Sequence, residues 1–285
     1  MLKRTVLRKL VITIGMASLL GVTTSMHADH VKVFLLGGQS NMDGRGDSDE
    51  LPQGLRSPQN DVLFYYRSNA SLTTLRPGSG SDFGPEVQFG RTIADEFSTD
   101  NFALIKHAVG GTNLHTDWDP ANGETYSAFQ DTVKDGLEAL TDAGHTYEIV
   151  GMLWTQGERD GKDGRTTAQY EADLNDFIGD IRTNYGEDLP FFLSRLSSGQ
   201  TDIRADRLAQ IRAAQNNVAA GDSKTYLIDT DGFKLKDDNL HFDAAGQLEL
   251  GEAFGDAYID AAHTPEPTSM LVFGVAGAML MTRRR

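Results

Sequence analysis

Cysteine is absent from this 285-residue sequence, and positive charge is scarce. Without cysteine there can be no disulfide bond, no thiolate nucleophile, and no zinc or iron–sulfur site with cysteine ligands. The 26 lysines and arginines are outnumbered by 41 aspartates and glutamates, which gives a formal net charge of −15. An acidic surface of this kind argues against a nucleic acid or an anionic membrane as a partner, and it is compatible with a neutral substrate such as a polysaccharide.

The C-terminal segment lacks a hydrophobic run of full transmembrane length. Its apolar stretch from Met270 to Met281 has 12 residues, whereas a transmembrane helix needs about 20. The stretch follows Pro265-Glu266-Pro267 and precedes Arg283-Arg284-Arg285. With these three parts in this order, residues 264–285 resemble the PEP-CTERM sorting signal of Gram-negative bacteria. The resemblance implies recognition by sorting machinery and a transient membrane tail, with the arginines on the cytoplasmic side.

The N-terminus has the pattern of a secretory signal peptide. Four basic residues within the first nine precede an apolar stretch that ends in small residues near Ser25 and Ala28. A basic flank, an apolar centre and a small-residue end in this order are typical of a cleaved export signal. We therefore predict a signal peptide over residues 1–28 and a protein that is exported to the periplasm, the cell surface or the medium.

Between these terminal segments, apolar β-rich runs alternate with helical patterns. The runs are VKVFLLGG (31–38), NFALIKHAVGG (101–111), YEIVGMLWTQG (147–157), LPFFLSRLSS (189–198) and KTYLIDTDG (224–232). Helical patterns cover about 85–97, 126–143, 167–185, 203–220 and 243–262. Nearly continuous apolar runs are typical of strands buried on both faces. The alternation predicts one α/β domain over residues 29–263 with a mostly parallel sheet.

Polar residues collect where these runs end, which is the edge at which parallel sheets bind ligands. The first run leads into Ser40, the second into Gly111 and the third into Gln156. Asp238 and His241 lie beyond the fifth run and before the last helix. A serine, backbone amides beside glycines, a side-chain amide, a carboxylate and an imidazole are the components of a serine hydrolase.

Each component has a chemical role. The Ser40 hydroxyl is a weak nucleophile until a base removes its proton, and histidine is the side chain best suited to do so near neutral pH. Asp238 precedes His241 by three residues, so that a turn would let the carboxylate hold the ring in one tautomer. The backbone amides of Ser40 and Gly111 and the side chain of Gln156 are candidate donors to the oxyanion of a tetrahedral intermediate.

Five blocks of the sequence resemble, in order, those of a known enzyme group. GGQSNMDGRG, FGPEVQFGR, HAVGGTNL, WTQGERD and DDNLHFDAAGQ look like the successive blocks of the sialate O-acetylesterase and carbohydrate esterase family 6 group of SGNH hydrolases. The resemblance implies a three-layer α/β/α flavodoxin-like fold with about five parallel strands. It also implies hydrolysis of acetyl esters on sugars, with xylan and sialic acid the familiar substrates, and no metal ion or other cofactor. By position it makes Ser40 the nucleophile, His241 the base, and Gly111 and Gln156 parts of the oxyanion hole.

The acid partner of His241 has more than one candidate. Asp238 fits the Asp-x-x-His pattern of the SGNH hydrolases. Glu158, in the QGE segment of the fourth block, is an alternative, and Asp237 is a more remote third choice because it stands four residues before the histidine.

Asn41, Glu86 and Trp118 are candidates for contact with the substrate. Glu86 can instead begin the helix that follows Pro85, because proline and an acidic residue both suit a helix N-terminus. Trp118 lies in a polar, glycine-containing segment, where a sugar ring could stack on it, or it can instead cover the edge of the core.

These observations predict an exported serine esterase that removes O-acetyl groups from carbohydrates. Two alternatives stay open. One is a non-catalytic carbohydrate-binding surface protein on a hydrolase fold, and the other is a general carboxylesterase with the same catalytic residues.

Overall fold

The computed structural model describes residues 29–77 and 82–264. The predicted signal peptide (1–28) and, apart from Thr264, the predicted sorting tail (264–285) lie outside these residues. Within them, no helix is both long and apolar enough to cross a membrane.

Strands and helices alternate along most of the described chain. The strands are β1 (His30–Gly38), β2 (Gly46–Asp47), β3 (Gln59–Tyr66), β4 (Leu72–Leu75), β5 (Asp82–Phe83), β6 (Asn101–Ala108), β7 (Thr146–Thr155), β8 (Phe191–Ser194) and β9 (Thr225–Ile228). The helices are α1 (Ser40–Asp43), α2 (Glu86–Glu96), α3 (Glu124–Asp142), α4 (Glu158–Asp163), α5 (Thr167–Tyr185), α6 (Ala205–Gly221) and α7 (Ala244–His263).

The central sheet has seven strands in the order β4-β3-β6-β1-β7-β8-β9. All neighbours in it pair in parallel except β3 and β4. The five predicted strands correspond to β6-β1-β7-β8-β9, which is the order 2-1-3-4-5 of flavodoxin-like folds. The predicted α/β class and flavodoxin-like topology are therefore confirmed.

Two strands of the sheet, β3 and β4, lie outside the five predicted runs. β3 has the sequence QNDVLFYY, with polar residues at its first three positions, and β4 has the sequence LTTL and is mostly half-buried. Both lie at one side of the sheet, where a strand is less completely covered and its sequence is less continuously apolar. β2 and β5 form a separate two-stranded sheet.

Apolar side chains fill both faces of the sheet. On β1, Val33 and Leu35 enter one core cluster together with residues of α3, α5 and α6, whereas Phe34 and Leu36 enter a second cluster with residues of α2 and α7. Successive side chains of a strand point to opposite faces, so that the apolar run of β1 supplies both layers. The five longer helices begin and end within two residues of the predicted bounds.

Candidate active site

The carboxyl end of β1 lies between those of β6 and β7, where the strand order reverses. A cavity of about 330 Å³ opens at this edge. It is lined by Gln39, Ser40, Arg45, Gly110, Gly111, Glu158, Arg159, Lys162, Leu240 and His241. The segments that follow β1, β6, β7 and β9 thus meet around one cavity, as the sequence predicts.

Glycine is required at two turns of this edge. Gly38 has φ of 141°, and a Cβ on it would lie 2.1 Å from the carbonyl oxygen of Thr155. This close approach lets β1 turn directly into α1, whose first residue is Ser40. Gly111 has φ of 79°, in the left-handed region that residues other than glycine adopt at a cost in free energy.

Ser40, His241 and Asp238 form a continuous chain of hydrogen bonds. The Nε2 atom of His241 lies 2.9 Å from the Oγ of Ser40, a residue 201 positions away in the sequence. The Nδ1 atom of the same ring lies 2.6 Å from Oδ2 of Asp238. With the proton on Nδ1 donated to Asp238, Nε2 is left as the acceptor for the serine hydroxyl.

The carboxylate of Asp238 is held by the backbone of its own turn. Its Oδ1 accepts hydrogen bonds from the N–H groups of Leu240 and His241, each at 2.9 Å. Partial burial by itself would raise the pKa of Asp238, but the hydrogen bonds from the backbone and ring of His241 and from Leu240 outweigh it and lower the pKa to about 2. Asp238 is therefore ionised at neutral pH and oriented toward the ring.

Glu158, the alternative acid, has different hydrogen-bond partners. Its Oε1 accepts hydrogen bonds from Nδ2 of Asn41 at 2.7 Å and from Nε2 of Gln200 at 3.4 Å. Only 1% of its surface is exposed, and its Oε2 has no hydrogen-bond partner among the described residues. Burial raises the pKa of Glu158, although these hydrogen bonds oppose the shift. The structure thus places Asp238, rather than Glu158, on the ring of His241.

Gln156 is placed behind the cavity and not in its wall. It is completely buried, and its Nε2 donates to Oδ2 of Asp160 at 2.6 Å and is 3.2 Å from the carbonyl oxygen of Thr112. Its Oε1 accepts from the hydroxyl of Tyr170 at 2.9 Å. Both amide hydrogens therefore have protein acceptors. This corrects the expectation that the Gln156 side chain faces the oxyanion.

Gln39 is a cavity residue that the sequence reasoning missed. Its Oε1 accepts a hydrogen bond from the N–H of Arg159 at 3.2 Å and lies 3.3 Å from Nε2 of Gln156. The backbone donor fixes which end of the amide is the oxygen. The Nε2 of Gln39 has no hydrogen-bond partner in the described part of the chain and remains available as a donor. Its position directly before Ser40 is the sequence feature that could have indicated its place in the cavity.

Asn41 does not line the cavity, in contrast to its predicted contact with the substrate. Its side chain is fully buried, with Oδ1 accepting from the N–H of Phe242 at 3.0 Å and Nδ2 lying 3.2 Å from the carbonyl oxygen of Leu240. Two of its partners are thus the residues that flank His241, and the third is Glu158. The physical reason for the correction is that α1 turns this side chain into the protein while Ser40 faces the cavity.

Glu86 and Trp118 are likewise structural in this fold. Glu86 is buried at the start of α2 and forms an ion pair with Lys106, whose Nζ is 2.6 Å from Oε2 of the glutamate. Trp118 has no exposed surface, packs edge-on against Trp154 with ring centroids 4.9 Å apart, and donates from Nε1 to the hydroxyl of Thr112 at 2.9 Å. Neither side chain can reach a substrate in the cavity, which corrects both predicted contacts.

Three basic side chains border the cavity in an otherwise acidic protein. Arg45 pairs with Asp43 at 2.9 Å, Arg159 with Asp163 at 3.0 Å, and Lys162 with Asp202. The one acidic residue in the cavity wall is the buried Glu158. Each of the three basic side chains already has an aspartate partner, so their positive charges are balanced locally.

Known proteins share the sequence pattern and the fold of this chain. The sequence profile of a family described as carbohydrate esterase, sialic acid-specific acetylesterase, matches residues 30–260. A probable carbohydrate esterase of Arabidopsis thaliana is 27% identical over 252 residues, which cover 80% of this chain and 90% of the relative.

Two solved structures share the fold. An Arabidopsis thaliana protein superposes with a TM-score of 0.68 and 23% identity, over 80% of this chain and 98% of the other. A carbohydrate acetylesterase of Xanthomonas citri gives a TM-score of 0.57 and 17% identity, over 79% of this chain and 55% of that protein, so that this chain spans about half its length. The profile match covers most of the sequence, and the chain therefore belongs to the carbohydrate esterase family of sialic acid-specific acetylesterases.

Proposed function

We propose that this protein is a serine esterase that removes O-acetyl groups from carbohydrates through an acetyl-enzyme on Ser40. The observation that carries the proposal is the hydrogen-bonded chain from Ser40 through His241 to Asp238 at the mouth of the cavity. Membership of a carbohydrate esterase family supports the reaction class. The same chain of contacts supports Asp238, and not Glu158, as the acid of the triad.

The reaction has two half-reactions. The Oγ of Ser40 attacks the acetyl carbonyl carbon while Nε2 of His241 takes the hydroxyl proton, and Asp238 stabilises the resulting imidazolium. The tetrahedral intermediate collapses, the sugar oxygen takes the proton from His241, and the acetyl group remains on Ser40. A water molecule then attacks the acetyl-serine, again with His241 as the base, and releases acetate.

The oxyanion requires donors that are already in position. Ser40 is the first residue of α1, so that its N–H has no acceptor within the helix. The Gly111 backbone and the free Nε2 of Gln39 border the same cavity. We assign these three groups to the oxyanion, with Gln156 supporting the Thr112 turn and the Gln39 side chain. Loss of one such donor typically costs about 3 kcal/mol of transition-state stabilisation.

Acetate release from two substrates tests the function and its specificity. Membership of a family described by sialic acid-specific acetylesterases supports a sugar that carries a carboxylate, for which Arg45, Arg159 and Lys162 are candidate partners. We therefore expect a higher kcat/KM on O-acetylated sialic acid than on acetylated xylan. The ratio of the two kcat/KM values should fall as the salt concentration is raised, because salt screens the attraction between the basic side chains and the substrate carboxylate. An equal or higher kcat/KM on xylan at every salt concentration would contradict this preference.

The same assay separates the alternatives. Hydrolysis of an aryl acetate without release of acetate from either carbohydrate would support a general carboxylesterase. Glycan binding without turnover of any acetyl ester would support a carbohydrate-binding protein.

Export is part of the proposal, supported by the signal-like residues 1–28 and the tail at 264–285. We expect the full-length chain, made in a Gram-negative host, to reach the periplasm or the medium with its N-terminus removed near Ser25 or Ala28. A chain without residues 1–28 should stay in the cytoplasm. Cell fractionation with N-terminal mass spectrometry checks this, and full-length chain that stays in the cytoplasm with an intact N-terminus would contradict it.

A further inference from the structure

His241 lies outside the named strands and helices, on the segment between β9 and α7. An antiparallel bridge between Leu235 and Phe242 and a hydrogen bond from the N–H of Lys236 to the carbonyl oxygen of His241 at 2.8 Å join this segment to itself but not to Ser40. Such segments are commonly more mobile than the elements they connect. A general base must nevertheless stay within hydrogen-bond reach of its nucleophile, and an error of 1 Å can cost about 100-fold in rate. Something in the fold must therefore hold the backbone of His241 in place relative to Ser40.

The residues on either side of His241 form hydrogen bonds with two buried side-chain amides. Asn41 accepts a hydrogen bond from the N–H of Phe242 and donates to the carbonyl oxygen of Leu240. Gln200 donates to the same carbonyl oxygen at 2.8 Å. Asn41 directly follows Ser40 in α1, so one side chain connects the nucleophile to the segment of the base.

Glu158 joins these two amides. Its Oε1 accepts from Nδ2 of Asn41 and from Nε2 of Gln200. The Oε1 of Gln200 accepts in turn from the N–H of Ser197 at 2.9 Å. Both amides therefore have a partner at each end, and neither can flip without leaving a buried polar atom unpaired. All three side chains are at most 1% exposed.

We propose that Asn41, Glu158 and Gln200 form a buried clamp that positions His241 against Ser40. The proposal rests on His241 acting as the base, as argued above. Asn41 and Gln200 do not line the cavity, and Glu158 borders it with a side chain that is only 1% exposed. Glu158 acts in the clamp as a hydrogen-bond acceptor, and its charge is not required.

Two substitutions of Glu158 separate this role from that of a triad acid. Glu158→Gln keeps a carbonyl oxygen that can accept from both amides, so we expect kcat for an aryl acetate to stay within about threefold of wild type. In Glu158→Leu the new side chain has a similar size but no acceptor. One N–H of Asn41 and one N–H of Gln200 then lose their buried partner, although both amides keep the carbonyl oxygen of Leu240. We expect the kcat of this variant to fall by about 10- to 100-fold, with little change in KM for this small substrate.

Gln200→Ala and Asn41→Ala test the other two members, and Gln59→Ala is the matched control. Gln59 is also a buried amide, and it donates to the backbone carbonyl of Val87 at 2.7 Å. It lies at the start of β3, at the sheet edge opposite the carboxyl ends of the parallel strands. We expect the two clamp variants to lose kcat and the control to keep it, whatever each loses in thermal stability.

Hydrogen–deuterium exchange provides a measurement that does not depend on turnover. The Phe242 amide should exchange faster in Asn41→Ala than in wild type, and exchange across residues 240–242 should be unchanged in Gln59→Ala. Equal loss of kcat in Glu158→Gln and Glu158→Leu, unchanged kcat in Asn41→Ala, or unchanged exchange at Phe242 would overturn the clamp. A wild-type protein that hydrolyses no acetyl ester would instead refute the proposed function, and the exchange result would still decide whether the segment is held.

Discussion

Ser40→Ala is expected to lower kcat for an aryl acetate by more than about 1,000-fold while the protein stays folded. In the described structure, Ser40 supplies the hydroxyl group that lies within hydrogen-bond distance of Nε2 of His241. Without it, no acetyl-enzyme can form, and the donors around the cavity can only assist a direct attack by water. Steady-state kinetics, together with far-UV circular dichroism to check the fold, make the comparison.

An exposed serine provides the control for this substitution. Ser127→Ala makes the same change on α3, away from the cavity, and should leave kcat unchanged. Mass spectrometry of the wild-type protein stopped during turnover should find the acetyl group on Ser40. Activity of Ser40→Ala within tenfold of wild type would show that the nucleophile is a different group.

Asp238→Asn is expected to have the second-largest effect, a loss of about 1,000-fold or more in kcat. The two backbone N–H groups at Oδ1 require an acceptor, so that the new amide must place its oxygen there. Its NH₂ group then faces Nδ1 of His241 and forces the ring proton onto Nε2. In this tautomer the ring can no longer accept the proton of Ser40.

The adjacent Asp237 provides a matched control. It is exposed, and Asp237→Asn removes the same charge without touching the ring, so its kcat should stay near that of wild type. If instead Asp238→Asn keeps its activity and Glu158→Gln loses it, the acid of the triad would be Glu158.

The ionisation of Asp238 near neutral pH follows from its low pKa. The pKa of Asp238 in the folded protein, about 2, lies below the ordinary value of 3.8. The carboxylate therefore stabilises the folded site fully above about pH 4, and this stabilisation is lost only as the pH falls toward 2. We therefore expect the carboxyl group of Asp238 to stay ionised between pH 5 and 8, as followed by ¹³C NMR of the labelled side chain. Protonation of Asp238 within this range would contradict an always-ionised partner.

The sheet and its functional edge were predictable because they depend on local patterns. A strand buried on both faces needs a continuous apolar run, and β1, β6, β7, β8 and β9 each have one. The carboxyl ends of parallel strands then meet at one edge. β3 and β4 were not predicted because strands at one side of the sheet are only partly covered and carry weaker patterns.

The roles of individual side chains at the edge were less predictable. Gln156, Asn41 and Trp118 all belong to segments that reach the site, but their side chains turn inward to Asp160, Phe242 and Trp154 respectively. A motif places a backbone position near a cavity. Which way the side chain points depends on partners that are distant in sequence.

Local sequence patterns were enough to predict the α/β sheet and to place Ser40 and His241 at one edge of it, because a strand buried on both faces requires a continuous apolar run. Only the tertiary structure decided which carboxylate faces His241 and which residues hold its segment. Asp238 and Glu158 are both acidic and both near the site. They differ in that Asp238 lies on a turn whose N–H groups orient it toward the ring, whereas Glu158 is buried against amides from α1 and from the segment before α6.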